Sequence, residues 1–222
     1  MSVTPPQSEE ELLNRARQLA GLTLADIATK FKQAVPKDAR HAKGWIGQLI
    51  ETSLGATASS LAEPDFQLIG IELKTLPLTN SGKPKESTYV CTVPLSNLHQ
   101  QEWETCWLKR KLQRVLWLPL EADKRISIAE RHVGNAILWS PTESQEKQLQ
   151  NDWEELMELV CLGQLDQITS HMGHYLQIRP KGANAKSLTT ALDEEGNTIQ
   201  TLPRGFYLRP EFTQQIIHTN YA

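Results

Sequence analysis

The sequence predicts an α/β fold, a mixed sheet with helices packed against it, on three observations. Capped stretches of helical period open the chain, the period changes to two over residues 66–78, and an apolar run at 115–118 precedes a long amphipathic helix. Its 222 residues suffice for one domain or two small lobes, with a core that needs no disulfide or structural metal. Lys plus Arg is 23 and Asp plus Glu 26, a net charge of −3, so any nucleic-acid surface must be local.

Each element has a local cause. Ser8-Glu9-Glu10-Glu11 reads as a capping box opening a helix to Leu19. Thr23 caps a second helix with Leu24, Ile27, Ala28 and Phe31 on one face. A basic stretch at 30–43 (Lys30, Lys32, Lys37, Arg40, Lys43) leads to a third helix from Gly44 to near Gly55. In the alternating run, Ile69, Ile71 and Leu73 share one face, and Gly70, Glu72 and Lys74 the other. The turn residues Asn80-Ser81-Gly82-Lys83-Pro84 and the run at 88–93 suggest that these two strands form a hairpin. The basic run Lys109, Arg110, Lys111, Arg114 precedes the buried strand at 115–118 and reads either as a solvated strand face or as part of a basic cleft. The helix at 144–162 should carry Glu146, Asp152, Glu154, Glu155 and Glu158 outside, and Leu149, Trp153, Leu156 and Val160 inside. A strand at 175–179, a basic loop at 180–186, a strand near 202–208 and a helix from Pro210 complete the chain.

No run approaches the ~20 apolar residues of a membrane span, and the N-terminus does not read as a secretory signal. Three widely spaced cysteines (Cys91, Cys106, Cys161) argue against a disulfide framework and for a reducing cytoplasm. His171 and His174 form H-x-x-H without a third ligand nearby, and no phosphate loop of the Walker type occurs.

The chemistry concentrates at Pro64-Asp65 and Glu72-Leu73-Lys74. Alternation puts Glu72 and Lys74 on one face and turns Leu73 to the core, while Asp65 reaches Glu72 if the chain bends. Two carboxylates, with the Leu73 carbonyl as a further ligand, make a hard oxygen site suited to Mg²⁺ and substrate phosphate. Lys74 can orient a water or stabilise charge on phosphorus, and Glu51 can supply a third carboxylate. An E-x-K triplet arises about once by chance in such a chain. The amphipathic strand and the upstream acid are what give this one weight.

Pro64-Asp65…Glu72-Leu73-Lys74 resembles the PD-(D/E)xK signature of restriction-endonuclease-like nucleases. Beyond it, KGWIGQLIE at 43–51, IELKTLP at 71–77, RVLWLP at 114–119, NDWEELMELV at 151–160, YLQIRPKGANAK at 175–186 and LPRGFYL at 202–208 resemble the MutH family. That resemblance spans about residues 8–212. It implies a restriction-endonuclease-like α/β fold in two lobes around a DNA cleft, the catalytic lobe mainly about 8–110 and the DNA-reading lobe mainly about 111–222. It implies metal-binding acids at Asp65 and Glu72, a catalytic lysine at Lys74, a helix glutamate at Glu51 and a second active-site lysine at Lys111. It places DNA-reading residues at Lys43, Glu86, Tyr89, Arg179, Lys181 and Tyr207.

The implied activity is Mg²⁺-dependent nicking of the unmethylated strand at hemimethylated GATC in mismatch repair. Mn²⁺ would substitute, and Ca²⁺ would support binding without cleavage. The implied partners are duplex DNA, MutL as activator and MutS indirectly, for a cytoplasmic monomer. Two alternatives stand beside this reading: a dimeric GATC restriction endonuclease, and a repair module that binds DNA without cutting it.

Overall fold

The computed structural model describes residues 3–36, 38–58, 63–96, 98, 101–181 and 187–221. The chain divides into two compact units that interleave in sequence. Unit 1 is Met1–Glu86, Gln113–Ser140 and Ile216–Ala222; unit 2 is Ser87–Leu112 and Pro141–Gln215. Among the described residues, no helix is long and apolar enough to cross a membrane.

Unit 1 opens with α1 (Glu9–Leu19), α2 (Leu24–Lys30) and α3 (Ala39–Leu54). Ser8 accepts the Glu11 N–H at 3.1 Å, but the Glu11 carboxylate turns to the Gln7 N–H and to Arg15, so only half of the expected box forms. Thr23 and Asp26 complete theirs at α2. The third helix starts at Ala39, five residues before its expected start at Gly44, and so takes in Lys43. Lys37 and the side chain of Arg40 lie outside the described residues. Leu12, Leu24, Ile27, Leu49, Ile50 and Leu54 from these helices join Phe66, Ile71, Leu73, Leu116 and Leu118 in one apolar core.

The sheet of unit 1 runs β1 (Glu72–Leu78), β3 (Val115–Glu121), β4 (Ile137–Trp139). β1 pairs parallel with β3, from Glu72↔Val115 to Leu78↔Glu121, and β4 closes antiparallel. The expected hairpin with the strand at 88–93 is therefore a correction. That strand, β2 (Thr88–Thr92), pairs antiparallel with β8 (Arg204–Leu208) in unit 2. A parallel pair needs a long crossover, and residues 87–112 supply it by folding within unit 2.

The sheet of unit 2 runs β2, β8, β5 (Leu176–Pro180), and a separate hairpin joins β6 (Thr189–Leu192) to β7 (Thr198–Thr201). The run Lys109-Arg110-Lys111 is a second correction: it lies on the short helix α4 (Trp107–Leu112), not on a strand. On α5 (Glu143–Cys161) the expected acidic outer face holds except at Asp152, which is 2% exposed. Its carboxylate faces inward and accepts the N–H groups of His174, Tyr175 and Leu176, tying α5 to the start of β5. α6 (Pro210–Tyr221) ends the chain. Of the basic loop, residues 182–186 lie outside the described residues.

Candidate active site

The backbone between α3 and β1 explains how Asp65 returns to the strand. The N–H groups of Thr57 and Ala58 bond the Asp65 carbonyl at 2.9 and 3.3 Å, and Phe66 and Ile71 bond each other in both directions. Between them a single 3-10 turn, Gln67–Ile69, ends on Gly70 at φ +66°, a left-handed conformation that costs glycine nothing. This turn brings the Asp65 carboxylate back to β1, where Oδ2 accepts the Leu73 N–H at 2.9 Å.

Successive N–H groups of a strand point to opposite edges. That of Glu72 goes to the Arg114 carbonyl, on the β3 side. That of Leu73 goes the other way, to Asp65 on the edge away from β3, and the Leu73 carbonyl stands on that same edge. Glu72 is 1% exposed and Asp65 8%, and Lys74 Nζ donates to Glu72 Oε1 at 2.5 Å. Glu51 is half-buried on α3, with Oε1 beside Gly47 one turn back.

Burying a carboxylate is costly unless it is paired or hydrogen-bonded. Among the described residues no group of three His, Cys, Asp or Glu side chains could hold a metal ion. Carboxylate and backbone carbonyl oxygens are the donors that a hard divalent cation takes, with water and substrate oxygens filling its shell. Asp65, Glu72 and the Leu73 carbonyl are the donors that fit.

A second group assembles in unit 2. Tyr89 on β2 faces Tyr207 on β8 in direct register, the rings edge to face with centroids 5.4 Å apart. Lys181 Nζ sits 3.5 Å from the Tyr89 ring centroid, and the Arg179 guanidinium 5.8 Å from that of Tyr207. Both cations are exposed. The structure thus brings together four of the six expected DNA-reading residues. The other two, Lys43 and Glu86, are in unit 1, where they form an exposed ion pair at 2.7 Å. Lys111 is buried on α4 of unit 2, its Nζ 5.7 Å from the Trp107 ring centroid. Of the cysteines, Cys91 and Cys106 are buried and Cys161 is exposed; burial pushes the Cys106 thiol up, away from thiolate.

One residue of this second group escaped the sequence reading. Gly205, between Arg204 and Phe206, lies under both tyrosine rings. The available signal was a glycine inside a strand pattern, which marks a close approach.

The family model described as "DNA mismatch repair enzyme MutH" matches residues 54–152. The DNA mismatch repair protein MutH of Histophilus somni (strain 2336) is 51% identical over 98% of this chain and 97% of its own. That of Vibrio vulnificus (strain YJ016) is 51% identical over 97% and 95%. That of Escherichia coli O6:K15:H31 (strain 536 / UPEC) is 48% identical over 99% and 96%. Small open sheets flanked by helices are consistent with a restriction-endonuclease-like fold. Identity near one half over almost the whole length leaves one conclusion: the chain belongs to the MutH family, the endonucleases of DNA mismatch repair.

Proposed function

We propose that this endonuclease nicks the unmethylated strand at hemimethylated GATC, with Mg²⁺ held by Asp65, Glu72 and the Leu73 carbonyl. The observation that carries the reading is the start of β1, where Asp65 accepts the Leu73 N–H on the edge away from β3 and Lys74 donates to Glu72. When bound, the metal supplies an acidified water and offsets charge on the scissile phosphate. The protein's own part is to hold the donors in place before DNA arrives. The turn at Gln67–Ile69 fixes Asp65, and the parallel pairing with β3 fixes Glu72. Lys74 keeps an ammonium beside Glu72, where it orients water and stabilises charge on the phosphate oxygens. Glu51 adds a further carboxylate, and Lys111 enters as the second lysine by family resemblance alone.

Recognition is assigned to the tyrosine pair with Arg179 and Lys181, and to Lys43 with Glu86. Arg and Lys can read guanine O6 and N7 in the major groove, while phosphate contacts position the duplex. A ring beside adenine senses an N6-methyl group by contact, a role we assign to Tyr207. The enzyme works as a cytoplasmic monomer, stimulated by MutL, with MutS at the mismatch.

One GATC duplex in three methylation states, together with a supercoiled GATC plasmid in Mg²⁺, tests this. The expected result is open circles, with unmethylated and hemimethylated DNA cut and fully methylated DNA spared. Direct linear product would indicate paired cutting by a dimer. Binding with no product in any state would leave only a DNA-binding module.

A further inference from the structure

We infer that Gly205 is a positioning residue for recognition: its missing side chain is what allows Tyr89 and Tyr207 to meet edge to face over the sheet. Gly205 is buried in β8, in register with Arg179 on β5 and Thr92 on β2. A Cβ there would lie 2.9 and 3.2 Å from Tyr89 Cε2 and Cδ2, and 3.0 Å from Tyr207 Cε2. Both rings would have to move. The requirement is one of space, since the φ of Gly205 is not in the left-handed range.

The surroundings hold the pair in one arrangement. The Tyr89 hydroxyl bonds Thr92 Oγ1 at 3.0 Å, which tethers the ring at its far end. The Lys181 N–H bonds the Pro203 carbonyl at 2.6 Å, which fixes the backbone carrying the ammonium over Tyr89. Aromatic rings laid over a bare glycine satisfy a strand position that would otherwise leave backbone uncovered. A methyl group at 205 lifts the rings and leaves the chemistry of the four side chains intact.

This inference rests on the proposal that the tyrosines face DNA, and the experiment separates the two. Wild type, Gly205→Ala, Tyr89→Ala and the double variant are compared for kcat/KM on unmethylated GATC, for the ratio of unmethylated to fully methylated cleavage, and by near-UV circular dichroism. Misplacement on this scale costs roughly 10–100-fold. The expected result is a fall of at least ~10-fold for Gly205→Ala, with a lower ratio and a changed aromatic signal. In the Tyr89→Ala background the same change should add less than about threefold, because one of the two clashes is gone and coupled sites are not additive.

Wild-type cleavage, ratio and aromatic signal in Gly205→Ala would overturn the inference, as would full additivity in the double variant. If Tyr89→Ala and Tyr207→Ser both cut as wild type, the DNA-facing reading itself falls. The aromatic signal of Gly205→Ala would still report whether the glycine places the rings. Should Gly205→Ala fold poorly, Thr92→Val removes only the tether. It is expected to lower GATC cleavage about fivefold, the worth of one hydrogen bond, and no change in cleavage or ratio would count against the inference.

Discussion

In unit 2, Asp152 is buried at the centre of four donors. Oδ1 accepts from the His174 N–H and Gln148 Nε2, and Oδ2 from the N–H groups of Tyr175 and Leu176, at 2.6–2.9 Å. In unit 1, Asp65 and Glu72 are about as deeply buried, but they serve neighbouring residues of one strand: Asp65 accepts the Leu73 N–H, and Glu72 accepts from Lys74. Asp152 uses its charge locally, to satisfy peptide groups where a helix meets a strand. Asp65 and Glu72 gather like charges at one place, which an apolar core alone would disfavour and a bound cation would favour. Burial alone does not distinguish these carboxylates. Asp152 is held by three peptide N–H groups, whereas Asp65 takes one peptide N–H and Glu72 takes the Lys74 ammonium.

The largest effect expected from this contrast is that of removing metal. Chelation should abolish nicking while DNA binding persists, because affinity comes mainly from phosphate contacts elsewhere. Ca²⁺ should restore binding geometry without turnover, and gel analysis of plasmid form alongside a binding titration checks both. The next largest should fall on the fold. Asp152→Ala strands three peptide N–H groups and should cost about 3 kcal/mol, a drop of roughly 10 °C in melting midpoint. Calorimetry measures this, and the variant should still nick DNA at temperatures where it is folded.

This contrast was only half legible in the sequence. Asp65, Glu72 and Lys74 stood out because alternation gives the face of a strand residue and an E-x-K triplet invites a partner. Asp152 did not, since helical period alone counts it among the outward acids and nothing local reveals that β5 begins against it. The same blindness explains the sheet. The pattern of 66–78 reveals a strand and its buried face but not its neighbour: the strand nearest in sequence is the local expectation, while the true neighbour β3 lies beyond a crossover. At α4, six residues are too few for helical period to outweigh a basic run. The pairing of Tyr89 with Tyr207 joins residues more than a hundred apart, and only the structure brings them into contact.

Smaller effects sharpen the comparison. Tyr207→Ser should bring cleavage of unmethylated and fully methylated GATC closer together without loss of the β1 chemistry, measured on matched duplexes at one salt concentration. An unchanged ratio would move the methyl sensor to Tyr89 or to the 180–186 loop.

The smallest effect concerns a surface acid answered by a cation. Arg114 donates to both Glu9 oxygens at 2.9 and 2.7 Å, and this bonding holds the Glu9 carboxyl below its ordinary value of 4.5. A lowered folded pKa means that the pair's contribution is present above the unfolded value and is lost as pH falls through the folded one. Glu9→Gln should therefore lower the melting midpoint slightly near neutral pH, and the gap from wild type should close in acid, as pH falls through the lowered value of the folded state. A gap that stays constant or widens in acid would remove Arg114 as its cause.

The most direct test is the nicking of a supercoiled GATC plasmid in Mg²⁺ by Asp65→Ala and Glu72→Ala, with melting midpoint and DNA affinity measured on the same preparations. The account predicts no open circles from either variant, affinity close to wild type, and a folded protein in both cases. Ordinary nicking by either variant would remove that acid from the chemistry. Unfolding of both would make them structural carboxylates of the Asp152 kind.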